Sequence, residues 1–159
     1  MRLIAILALV FAFSACSSFQ LIPGYSTLFP GHEARDVADA CWPGVLAGFE
    51  NEWEPTAEVI NQMETHLKDL NNAIAHTGCT VSGQPKDING FRRQYFGVVL
   101  SGRRLVFINA FDLEIGNDLS NGEPNQMCAV VNDGYCSFWS ALYDPETMMF
   151  EQLEFAPLG

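Results

Sequence analysis

The sequence predicts an α+β domain, with one long amphipathic helix packed on an antiparallel meander of about five strands. Three observations predict it. Apolar residues recur at alternating steps of three and four from Ile60 to Ile74, the spacing of one helix face. Residues 94–100 and 104–111 are rich in Val, Ile and aromatics, and Ser101-Gly102-Arg103 separates them as a hairpin loop. Short turn signals then divide the C-terminal part into further strands.

The helix is expected over residues 54–77. Ile60, Met63, Leu67, Leu70 and Ile74 form its stripe, which Val59 widens. Pro55 falls where a first-turn proline is tolerated, and Glu58 sits early, where the helix dipole favours a carboxylate. Gly78 is a natural stop. The stripe is core packing rather than a cofactor box.

Beyond the hairpin, a polar stretch over 112–125 precedes strands at 126–131, 135–143 and 148–154. Asn132-Asp133-Gly134 and Asp144-Pro145-Glu146-Thr147 supply the turns between them. Alternation puts Tyr135, Ser137, Trp139, Ala141 and Tyr143 on one face, with Cys136, Phe138, Ser140 and Leu142 on the other. Both faces carry large apolar groups. The segment before the helix, with Trp42, Val45, Leu46, Phe49 and Trp53, is therefore expected to cover the second one.

The N-terminus has its own signature. Arg2, an apolar run over 3–13 and then Ser14-Ala15-Cys16 form a secretory signal closing on a cysteine. The run is shorter than the ~20 residues that span a bilayer. Phe13-Ser14-Ala15-Cys16 resembles the lipobox of bacterial lipoproteins, with Phe13 in place of the commoner aliphatic residue. The resemblance implies acylation of Cys16 with chains such as palmitate, each buried methylene adding ~0.8 kcal/mol of membrane affinity. In such lipoproteins a serine after the cysteine allows export to the outer membrane, so Ser17 implies an anchored domain facing the periplasm. The chain is thus read as a signal peptide (1–15), a lipidated tether (16–40) and a single α+β domain (41–159).

The net charge of −11 becomes −12 once Arg2 leaves with the signal. An acidic surface is a poor match for phosphate backbones, so nucleic acid is not an expected partner. The lipid bilayer, reached through Cys16, is the expected one, together with an envelope protein or glycan. After Cys16, the cysteines Cys41, Cys79, Cys128 and Cys136 remain, and an even number in an exported chain reads as disulfides. A three-residue loop at Asn132-Asp133-Gly134 would put Val130 opposite Cys136, with Cys128 on a bridgeable diagonal. A two-residue loop would put the two thiols on opposite faces. The first arrangement is favoured, giving Cys128–Cys136 and Cys41–Cys79.

No nucleophile elbow, HExxH or phosphate-binding glycine loop is present. His66 and His76 are ten residues apart on the helix and cannot share a metal; His32 lies in the tether. Asp112, Glu114, Asn117, Asp118 and Glu123 fail the calcium-loop spacing. No metal or cofactor is expected. The possible binding residues are Trp42 and Trp53, as a stacking platform, and Arg92 and Arg93, which with Arg103 and Arg104 would clamp an anionic group.

Glu52-Trp53-Glu54-Pro55-Thr56, Arg93-Gln94-Tyr95-Phe96-Gly97 and Asn109-Ala110-Phe111 add a resemblance, as do Asp133-Gly134, Phe138-Trp139 and Tyr143-Asp144. Over residues 50–155 the chain resembles a group of small uncharacterised exported bacterial proteins. The resemblance implies one helix on an antiparallel sheet and brings no catalytic residue. The expected function is a non-enzymatic binding or structural module on a lipid anchor. The alternatives are an envelope hydrolase working through a pair such as Asp112 and Glu114, and an inhibitor or immunity-type protein.

Overall fold

The computed structural model describes residues 26–30, 36, 47–77, 79–81, 84–85, 87–112 and 135–155 of the chain. Its centre is a six-stranded sheet. Strands β5 (Phe91–Leu100), β6 (Arg103–Asp112), β7 (Phe138–Asp144) and β8 (Met149–Phe155) form an antiparallel meander. Two short strands share the outer edge of β5. The first, β1 (Ser26–Leu28), runs parallel to it, and β2 (Phe49–Glu52) runs antiparallel. A separate two-stranded ladder joins β3 (Thr80–Val81) to β4 (Gln84–Pro85).

The α+β architecture is as expected, with the helix on one face of the sheet. It starts at Ala57, later than the expected Glu54. Thr56 is the N-cap, its Oγ1 accepting from the Val59 amide at 3.4 Å, and α1 runs over Ala57–His66. A tightened 3-10 turn at Leu67–Asp69 leads into α2, Leu70–His76. Pro55 thus precedes the cap. Ile60, Met63, Leu67, Leu70 and Ile74 are all buried and pack on Phe91, Tyr95, Val106, Ile108, Trp139, Ala141 and Tyr143 of the sheet.

The other face of the sheet is also buried. Phe96, Val98, Leu105, Phe107 and Leu142 cluster there with Phe29, and Phe49 packs against them. Phe29 stacks on Phe96 with ring centroids 4.6 Å apart. The pre-helical segment supplies Phe49 as expected, whereas Trp53 packs against the helix-side core instead. Trp42, Val45 and Leu46 lie outside the described residues.

Several boundaries move. The tether was expected to run to residue 40, yet β1 and Phe29 belong to the sheet and its core. Backbone pairing and an aromatic stack hold that stretch, neither visible in a three-residue apolar pattern. The hairpin closes over Ser101 and Gly102 alone. Arg103 pairs with Leu100, and both turn residues have positive φ, 51° and 74°, the geometry of a two-residue turn matched to strand twist. Tyr135–Ser137 is a 3-10 turn, not the start of a strand. The expected strand at 126–131 lies outside the described residues. β8 carries an irregular register between Ser140 and Leu142 of its partner, and Gln152 there has φ 51°.

The cysteine pairing is corrected. Cys79 bonds to Cys136, with Cα atoms 5.1 Å apart and a sequence separation of 57. A cysteine makes one such bond, so neither Cys41–Cys79 nor Cys128–Cys136 forms. The reason is local: the 3-10 turn at Cys136 removes it from a strand face, and the helix ends close by. Cys16, Cys41 and Cys128 lie outside the described residues.

Candidate functional site

A buried charged cluster lies between helix and sheet. Alternation along β5 points residues 91, 93 and 95 at the helix, and Glu64, beside the apolar stripe, meets them. Arg93, 7 % exposed, is held by both carboxylate oxygens: Nε donates to Oε1 at 3.2 Å and Nη2 to Oε2 at 3.1 Å. Its Nε also donates to the Tyr95 hydroxyl at 2.9 Å, and Nη1 to the Phe91 and Ile88 carbonyls at 3.0 and 3.3 Å. Tyr95 completes the ring by donating to Glu64 Oε1. A guanidinium satisfied in this fork geometry is a joint, because nearly all its donors are engaged.

The second cluster surrounds Trp53. Its amide donates to the Gly97 carbonyl at 3.2 Å, and its indole Nε1 to the Leu105 carbonyl at 2.9 Å. The Arg104 guanidinium sits 6.0 Å from the ring centroid, within cation–π range. Gly97 is required here, since a Cβ would collide with the Trp53 carbonyl and approach Pro55 Cδ to 2.7 Å. The expected stacking platform is therefore engaged by the chain itself at Trp53. Trp42, its expected companion, lies outside the described residues.

The arginine clamp does not assemble. Neighbouring residues on a strand point to opposite faces, so Arg92 leaves the helix side while Arg93 enters it, and Arg103 and Arg104 diverge likewise. Arg103 instead joins Asp144 and Glu151: Nη1 donates to Asp144 Oδ2 at 3.3 Å, and both Nη atoms bind Glu151 at 2.8 and 3.0 Å. This bond holds the Glu151 carboxyl below its usual range and raises Arg103. Asp144 also ties its own turn, accepting from the Glu146 and Thr147 amides at 2.8 and 3.3 Å. Burial, then the Asp144 charge, pushes the neighbouring Tyr143 phenol up.

One arrangement has no motif behind it. On the face away from the helix, Gln94, Asn109 and Ser140 stand side by side across three strands, all at most 2 % exposed. Asn109 Nδ2 donates to Gln94 Oε1 at 2.9 Å, and Ser140 Oγ is buried with no hydrogen-bond partner among the described residues. The row divides the aromatic layer, with Phe96, Phe107 and Leu142 on one side and the stacked Phe111 and Phe138 on the other. Its sequence signal is slight: Asn109 and Ser140 each interrupt an apolar run, and Gln94 follows two arginines at the start of β5. Amides and a hydroxyl do not titrate near neutral pH, so the row can register strands but holds no general base.

The histidines stay apart: His66 Nδ1 pairs with Asp69 at 3.2 Å, and His76 contacts the Asn72 carbonyl. Asp112 is buried at the end of β6, while Glu114 and the rest of the acidic stretch lie outside the described residues. Among the described residues, no three His, Cys, Asp or Glu groups converge to hold a metal. Among them too, no helix is long and apolar enough to cross a membrane.

No family model matches the chain, and no curated protein or solved structure is significantly similar to it. Each sequence motif that could be placed has a mechanical use. The WEPT segment packs over Gly97, Arg93 and Tyr95 reach Glu64, and Asp144 closes a turn.

Proposed function

We propose that the protein is an envelope lipoprotein, acylated on Cys16, whose domain is a non-enzymatic binding or structural module. The observation that carries the anchor is the order Arg2, apolar run, Ser14-Ala15-Cys16. Ser17 favours the outer membrane, with the domain facing the periplasm. The Cys79–Cys136 bond supports export, because such bonds persist in oxidising compartments. The engagement of Arg93, Glu64 and Trp53 within the fold supports a module over a catalyst. Its partner is an envelope protein or a glycan.

Mass spectrometry of protein extracted from native membranes tests the anchor. The expected mature chain begins at an acylated Cys16, and Cys16→Ser leaves the membrane fraction. A retained leader or an unmodified amino terminus overturns it. Cross-linking in intact envelopes followed by pull-down tests the module. Turnover of peptidoglycan, lipid or peptide that Asp112→Ala abolishes would overturn the non-enzymatic reading.

A further inference from the structure

The first strand fixes where the chain joins the sheet. β1 runs parallel to β5, with Ser26 beside Arg93 and Leu28 beside Tyr95, and the Phe29 amide donates to the Tyr95 carbonyl at 3.0 Å. The chain therefore arrives from the pole where β5 starts. The end of β6, the start of β7 and the end of β8 share that pole. Cys79–Cys136 ties the end of the helix to it. The opposite pole carries the turn at Ser101-Gly102 and the turn before β8, where Met148 and Met149 are exposed.

We infer that the lipid anchor holds the domain with the β5-start pole toward the bilayer and the Met148–Met149 turn away from it. This rests on the acylation of Cys16 proposed above. Cys16 stands ten residues before Ser26, and a chain spans at most ~3.3–3.6 Å per residue, so the sheet is pinned within about 35 Å of the acylated sulfur. Eight residues along β5 separate Arg93 from Ser101, roughly 26 Å at strand spacing. Turning the far pole to the lipid would lay roughly three quarters of that tether back along the sheet. With the near pole down, those ten residues need only span the gap between lipid and β1. The outward turn then stands about 60 Å or less from the bilayer, so the domain meets its partners at the membrane surface.

Energy transfer in reconstituted vesicles tests this. Full-length lipoprotein is placed in vesicles of phosphatidylethanolamine and phosphatidylglycerol carrying a headgroup acceptor dye. A donor dye is coupled through a bioorthogonal side chain at exposed Asn89 or, separately, at exposed Thr147. Transfer from Asn89 is expected to be roughly twofold stronger, given poles some 30 Å apart. Lengthening the tether after Ser18 should weaken the Asn89 signal. Equal or stronger transfer from Thr147 on vesicle-bound protein overturns the orientation alone. Full-length protein that fails to float with vesicles, like Cys16→Ser, overturns the anchor and the orientation with it.

Discussion

The carbonyl of Trp53 occupies the space that a side chain on Gly97 would need. Backbone meets backbone there, so no rotamer change relieves the overlap. Gly97→Ala is expected to cost about 3 kcal/mol, as overpacking does when the neighbours cannot yield. Gly90→Ala, whose Cβ meets nothing within 4 Å, should stay within ~0.5 kcal/mol of wild type. Urea denaturation of the two variants checks the contrast.

Glu64 neutralises a buried guanidinium. Glu64→Ala leaves Arg93 charged against the core and should cost about 3 kcal/mol. Replacing both, as Glu64→Leu with Arg93→Met, should recover much of that loss, since an apolar pair of similar volume avoids burying charge. A double-mutant cycle reads the coupling. Additive losses would show that the two side chains act independently.

Phe29 tests the domain boundary. It is 1 % exposed and stacked on Phe96, so Phe29→Ala should cost about 3 kcal/mol. A fragment starting after Pro30 should melt well below one starting at Gly24. Equal melting would place β1 outside the cooperative unit.

The Cys79–Cys136 bond closes a loop of 57 residues, for which chain entropy gives about 4 kcal/mol. Cys79→Ser with Cys136→Ser should lose most of that stability. Non-reducing peptide mapping should recover the two cysteine peptides joined.

Glu151 gives the pH dependence its sign. Its folded carboxyl is held low by the Arg103 hydrogen bond, so its contribution is present above the ordinary carboxylate range. That contribution is lost as pH falls through the depressed folded value. Glu151→Gln should be less stable than wild type at neutral pH, the gap closing in acid and narrowing in salt. Tyr143, raised by burial, should ionise above an ordinary tyrosine in an alkaline absorbance titration.

What the sequence made legible was whatever repeats. Ile60 to Ile74 declare a helix face, and the β5–β6 hairpin and β7–β8 follow from apolar strands between turn signals. β1 and β2 escaped because Ser26–Leu28 and Phe49–Glu52 are too short to show a period. The site contacts escaped for another reason. Arg93 and Glu64 are 29 residues apart, and the Cys79–Cys136 pairing depends on where a helix ends against a 3-10 turn. Such partners are chosen by tertiary packing, which local pattern does not encode. Trp53 was expected over the second face of the sheet and instead joins the helix-side core.

The last strand of the meander has no described neighbour on its outer side, and a row of unpaired backbone groups can recruit the same row on another molecule. The kink at Gln152, set between Glu151 and Glu154, breaks that row and charges it. Straightening this strand would turn neighbouring copies into templates for fibrous stacking.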